Sequence, residues 1–217
     1  MMLERLEQTP PLFPLEFFSL RADVAHAKQA PSGRVLRRSF LLPSTASLLG
    51  EESFAEVALA WSFEGIFVGV FVEKPFEEAS YPQFAASDAL ELFFDTRDLK
   101  SAGFMTRFCH HFVVLPQAVQ GIRVQELTHF RTEDTHPLCD PQEISIEATF
   151  EKRAYALQLF FPSNVLHGYD PHAFERLGFT YRLHRCGGRP QHFAVSSEHF
   201  QIEQQPRLWA SLYLQKE

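Results

Sequence analysis

Four side chains in two strand-like segments have the types that hold a soft metal ion. Cys109 and His111 stand at i and i+2, and so do His184 and Cys186. On an extended strand such pairs point to one face. If the two strands are neighbours, Cys109, His111, His184 and Cys186 make a Cys₂His₂ zinc set. If they are not, these are buried thiols and hydrogen-bonded histidines. His110 points away from His111, so the two cannot share an ion. His136-Pro137-Leu138-Cys139 is a third pairing of the same residue types, in a loop. Calcium takes about six to eight oxygen ligands; Glu73, Asp95 and Asp98 are the carboxylates at hand, without a calcium-loop signature. A haem iron needs an axial His, Met, Cys or Tyr, for which Met105, His129, His167 and His192 are the candidates. Asp95-Thr96-Arg97-Asp98 has the composition of a catalytic string but reads as a strand end and a turn. There is no Gly-x-Ser-x-Gly, no phosphate loop and no His-Glu-x-x-His. The polar loop 95–107, with Arg97, Lys100 and Arg107, is a candidate binding surface, because loops on a rigid scaffold carry most binding.

The elements that position these residues are predominantly of period two. AEVALAW (55–61) and IFVGVFVE (66–73), separated by a short turn, predict a hairpin. DALELFFD (88–95) sends Leu90, Leu92 and Phe94 to one face and Ala89, Glu91, Phe93 and Asp95 to the other. FCHHFVVLP (108–116), IRVQELTHF (122–130), EISIEATF (143–150), YALQLFFP (155–162), GFTYRLHR (178–185) and LWASLYLQ (208–215) follow at short, regular spacing. The pattern predicts an all-β fold, an antiparallel sandwich or barrel, with only short helical turns after Ser163 and Pro171. VLRRSFLLP (35–43) reads as one more strand. Residues 1–217 are expected to form one domain, with a proline-rich N-terminal arm over 1–14.

Composition bounds the function. The chain has 217 residues with 20 basic and 27 acidic side chains, a net charge of −7, which argues against a nucleic-acid platform. No apolar run reaches the roughly 18–20 residues of a membrane helix, so membrane insertion is not expected. The start lacks the apolar core of a signal peptide. Three cysteines without paired spacing suit a reducing compartment, so the expected location is the cytoplasm, or export without a recognisable signal. The 23 phenylalanines suit two sheet faces that must be filled. Trp61 and Trp209 read as core residues for the same reason.

Ala60-Trp61-Ser62-Phe63-Glu64-Gly65-Ile66-Phe67-Val68-Gly69-Val70, followed by Ser87-Asp88-Ala89-Leu90-Glu91-Leu92-Phe93-Phe94-Asp95, resembles the family 9 carbohydrate-binding modules and the wider DOMON-like domains. Phe161-Pro162 with Leu166, Leu177-Gly178-Phe179, and Pro206-Arg207-Leu208-Trp209-Ala210-Ser211-Leu212 are similar to later pieces of the same pattern, so the resemblance covers about residues 53–215 in order. It implies a jelly-roll β-sandwich that binds a ligand without catalysing a reaction, most often a saccharide, often with structural calcium. It also implies aromatic platforms in the loop before the Asp88–Asp95 strand, where Tyr81 and Phe84 stand, and before the last strand, where Phe193 and Phe200 stand. The expected ligand-binding residues are Tyr81, Phe84, Glu91, Arg107, His111 and Phe193. Glu91 and Arg107 supply hydrogen bonds if their strands line the pocket, or else pair with each other across strands. Two alternatives stay open: a haem- or metal-binding DOMON-like protein, and a protein–protein interaction module that has lost its sugar.

Overall fold

The computed structural model describes residues 19–216; the expected arm over 1–14 lies outside them. Two sheets face each other. The larger has the order β1-β11-β9-β4-β5-β6, with the short β10 beside β9; the smaller has the order β2-β3-β8-β7. The strands of the larger sheet are β1 (Arg21–Ala25), β4 (Ala89–Asp95), β5 (Cys109–Val119), β6 (Ile122–Glu126), β9 (Arg176–His184), β10 (Gln191–His192) and β11 (Ala210–Gln215). Those of the smaller are β2 (Ala55–Ser62), β3 (Gly65–Val72), β7 (Ser145–Phe150) and β8 (Tyr155–Pro162). The all-β sandwich read from period-two patterning is therefore the observed architecture. Every pairing is antiparallel except β1 with β11, which is parallel.

The predicted hairpin is β2–β3, in register from Ala55 with Val72 to Ser62 with Gly65. Its turn is Phe63-Glu64, and it is closed by Gly65 at φ +152°. A Cβ there would collide with the Phe161 carbonyl oxygen of β8, so this position takes only glycine.

The core lies between the sheets. Val57, Leu59 and Trp61 of β2, Ile66, Val68 and Val70 of β3, and Leu157, Leu159 and Phe161 of β8 meet the larger sheet there. The larger sheet supplies Leu90, Leu92 and Phe94 of β4, Phe112 and Val114 of β5, and Phe179, Tyr181 and Leu183 of β9. Trp61 and Trp209 are both buried, as expected, and each indole N–H donates to a carbonyl, of Val24 and Ile202 respectively.

β4 is buried on both faces. It is central, paired to β5 on one side and β9 on the other. Its second face is covered twice. The segment between β10 and β11 lays Val195, Ile202 and Trp209 over Phe93. The loop before β4 packs Tyr81 and Phe84 against Ala89, Val113 and Leu115. A strand covered this way reads as nearly continuous apolar sequence, and the charged residues left within it have a reason to be there.

The segment 35–43 is not a strand. Gly33–Ser39 is a short helix, α1, which buries Leu36 against Ala58, Ala60 and Phe71 on the outside of the smaller sheet. Arg37 spans Glu56 and Glu73, a reach that a helix on the sheet surface provides. Extended pairing is left to Leu41, which bridges Ala58. The turn after Ser163 is a single 3₁₀ turn over Ser163–Val165. Pro171 starts a hydrogen-bonded turn rather than a helix, and β9 has begun by Arg176.

Candidate functional site

Glu91 sits in the middle of β4 on the face turned away from the core, and its side chain is fully buried. Four hydrogen bonds close around its carboxylate. Arg182 on β9 donates through Nε to Oε1 at 2.5 Å and through Nη2 to Oε2 at 3.0 Å. His111 Nε2 lies 2.7 Å from Oε2, and His184 Nε2 lies 2.6 Å from Oε1. Strand register explains the convergence: Glu91 is opposite Val113 on β5 and Arg182 on β9, while His111 and His184 stand one same-face step away, opposite Phe93 and Ala89.

Burial on its own would raise the Glu91 pKa. The hydrogen bonds from His111, His184 and Arg182 outweigh that and hold the carboxyl far below the ordinary carboxylate range. Burial likewise works against the Arg182 charge, but Glu91 raises its pKa overall. An ionised carboxylate only accepts, so both imidazoles donate through Nε2. Four donors fill the roughly four lone-pair sites of the carboxylate. Glu91 is thus a hub that orients other groups: it fixes both imidazoles through Nε2 and Arg182 through Nε and Nη2, while Arg182 Nη1 lies 3.9 Å from Glu203. His111 is further fixed by stacking on Phe93, centroids 4.3 Å apart. The Phe84 ring meets His184 edge-on at 6.1 Å, and Tyr81 packs in the same cluster as Phe84. An aromatic loop and a ring of pre-oriented hydrogen-bonding side chains therefore share one side of the larger sheet.

Next to them, His192 on β10 pairs with Arg182 in register. Its Nδ1 meets Glu51 and its Nε2 meets Ser197. It lines a cleft of about 420 Å³ with Glu51, Glu52, Arg185, Arg189 and Ser197.

Of the six ligand-binding residues expected from sequence, Tyr81, Phe84, Glu91 and His111 are brought together. Phe193 is not a platform. It is fully buried in the core and stacks on Tyr181 at 5.8 Å, because the backbone after β10 folds inward there and the Phe193 N–H bonds the Tyr181 carbonyl. Arg107 does not meet Glu91; it is spent on Asp134. The cross-strand partner of Glu91 is Arg182, which sequence reasoning missed. The signal was present in the β9 alternation, with Arg182 and His184 on one face, but only the β4–β9 pairing says what they face.

The Cys₂His₂ zinc set is not assembled, because β4 lies between β5 and β9. His111 and His184 turn their Nε2 atoms to Glu91, Cys109 is buried beside Thr106, and the Cys186 backbone N–H bonds Asp88. The residues expected of a calcium site do not converge either. Asp95 caps the N–H groups of Arg97 and Leu99, Asp98 takes Ser211, Lys100 and Arg176, and Glu73 takes Arg37. The haem candidates are dispersed too: Met105 is buried beneath Trp209, while His192 is held by Glu51 and Ser197. In the loop 95–107, Arg97 is clamped between Phe108 and Phe174. Lys100 bonds Asp98 and the Trp209 carbonyl. The cations of that loop are thus committed to holding it in place.

The two sheets, their order and the double cover over β4 define a β-sandwich with the fold of the family 9 carbohydrate-binding modules. Three solved structures carry the comparison. A family 9 module from Caldicellulosiruptor kristjanssonii in complex with glucose superposes with a TM-score of 0.67 at 13% identity, covering 91% of this chain and 96% of that one. The module in complex with cellotriose gives 0.64 at 15% identity, covering 91% and 94%. A putative carbohydrate-binding protein from Bacteroides uniformis gives 0.53 at 8% identity, covering 91% and 100%. No family model matches the sequence, and no curated protein is significantly similar to it. Among the described residues no helix is long and apolar enough to cross a membrane.

Proposed function

We propose that the chain is a non-catalytic carbohydrate-binding module whose site lies beside the buried Glu91 cluster, where Tyr81, Phe84 and Arg182 keep part of their surface exposed. The observation that carries this reading is the hub itself. One buried carboxylate holds Arg182, His111 and His184 in fixed orientation, with Phe84 and Tyr81 beside them. A saccharide has a polar rim and apolar ring faces. It is recognised by several fixed hydrogen-bonding groups together with an aromatic surface. Fixing the protein groups in advance lowers the ordering cost of binding a hydroxyl-rich ligand. The sandwich neighbours that hold glucose and cellotriose are in keeping with this reading.

Isothermal titration with glucose, cellotriose and a panel of other oligosaccharides tests it. A saturable heat with at least one saccharide is expected, weakened about tenfold or more in Phe84→Ala while that variant keeps its fold. The absence of saturable binding across the panel, or equal affinity in Phe84→Ala, overturns the assignment.

A further inference from the structure

A second buried carboxylate sits in a different chemical setting. Glu126, at the end of β6, is fully buried, with His110 of β5 and His136 against it. His110 Nδ1 lies 2.9 Å and His136 Nε2 3.0 Å from the same oxygen, Oε1. The Thr128 hydroxyl donates to that oxygen at 2.7 Å, and the Cys139 backbone N–H donates to Oε2 at 2.8 Å. We propose that His110, Glu126 and His136 are the ligands of a zinc-type divalent metal ion.

Three observations carry the assignment. The first is convergence: one donor atom from each residue lies within 4.8 Å of the others, the only such group of three among the described residues. Around a tetrahedral ion with bonds of about 2.0–2.2 Å the ligand atoms stand roughly 3.3–3.5 Å apart, so the two imidazole nitrogens, at 2.9 and 3.0 Å from Oε1, need to part from it by only a few tenths of an ångström.

The second is the charge balance. Glu91 is matched by the permanent cation of Arg182. The ion pairs of Glu126 are with two imidazoles alone. A buried carboxylate needs a counter-charge, and a divalent ion between it and two neutral imidazoles supplies one.

The third is the orientation of His136. Its Nδ1 lies 2.7 Å from the Arg107 carbonyl oxygen, which only accepts, so that nitrogen carries the proton. Its Nε2 then faces a carboxylate, which also only accepts. The ring is satisfied either as an imidazolium or with a metal ion on Nε2. A ligating histidine characteristically donates its other ring N–H to a backbone carbonyl in this way. Two imidazoles and one carboxylate suit zinc rather than calcium, which asks for oxygen alone. Binding moves the His110 proton from Nδ1 to Nε2, so that the neutral ring ligates through Nδ1, and releases to solvent any proton on His136 Nε2.

This inference is independent of the saccharide reading. His110 is on the core-facing side of β5 and His111 on the other, so the two carboxylate clusters lie on opposite faces of one sheet.

The test is zinc binding by the full chain, freed of metal with a chelator and titrated with zinc chloride. One zinc per chain at micromolar affinity or tighter is expected, weakened at least a hundredfold in Glu126→Gln and His136→Gln and unchanged in His129→Ala, an exposed histidine. X-ray absorption of the zinc-loaded wild-type chain keeps the proposal falsifiable if a variant does not fold. It should show two imidazoles and oxygen at about 2.0–2.2 Å. Failure to bind stoichiometric zinc, undiminished binding in the folded variants, or a sulfur-dominated spectrum overturns it.

Discussion

Glu91→Gln is the sharpest perturbation of the outer face. The replacement is nearly isosteric but swaps a charged acceptor for an amide. Its NH₂ group turns toward donors already aimed at that position by Arg182, His111 and His184. Arg182 keeps its charge with a side chain only 17% exposed, and its next carboxylate, Glu203, is 3.9 Å away. Removing one partner of a buried ion pair costs about 3–5 kcal/mol. At roughly 2–4 °C per kcal/mol for a chain of this length, the melting temperature should fall by about 6–20 °C. The assay is thermal and urea denaturation followed by circular dichroism, combined with Arg182→Met in a double-mutant cycle. The double variant should be less destabilised than the sum of the singles, by about 0.5–3 kcal/mol, as contacting residues couple. A loss below about 1 kcal/mol in Glu91→Gln, or strict additivity in the cycle, would refute the hub as drawn.

The same carboxylate gives a pH signature. In the unfolded chain it takes up a proton near its ordinary value of 4.5, whereas in the fold it stays ionised to lower pH. Its contribution is therefore fully present above that value and is lost as the pH falls below it. The melting-temperature gap between wild type and Glu91→Gln should be constant near neutrality and narrow steadily below about pH 4.5; a gap that stays constant in acid speaks against the ionised hub. Phe193→Ala should cost about 3–5 kcal/mol as a buried aromatic truncation. Calorimetric titration of the folded fraction should find ligand affinity retained, whereas a selective loss of affinity would return Phe193 to the site. Gly65→Ala should fail to give soluble folded protein, or melt far below wild type, because its new methyl meets the β8 backbone; near-normal stability would mean the hairpin shifts more easily than its register implies.

Local patterning made most of the fold readable and part of the candidate site. The β2–β3 hairpin was legible because adjacent strands and a short turn are local information. The strand β4 was legible in its alternation, yet not in the fact that both faces are covered, since its second cover comes from the distant segment between β10 and β11. Glu91 stood out as a charge in an apolar strand. Arg182 did not, because pairing β4 with β9 joins residues some ninety positions apart. The same non-locality misled the expectation for Cys109 and His184: i and i+2 spacing fixed their faces correctly, but strand order put β4 between them. His136 was noticed only beside Cys139, and its partner Glu126 was not, because it lies in a stretch without strand or helix, where periodicity carries no information. In α1, the apolar and basic residues of 35–43 satisfy either period, and the helix is favoured by burying Leu36 while Arg37 reaches two carboxylates.

Saccharide binding beside the Glu91 cluster is open to direct observation. Amide and side-chain chemical shifts of isotopically labelled protein, followed through a titration with the best-binding oligosaccharide, test it most directly. Saturable changes concentrated at Tyr81, Phe84, His111, Arg182 and His184 are expected. Saturable changes confined to other surfaces, such as the cleft at Glu51 and Arg189, or the absence of any change, would contradict it.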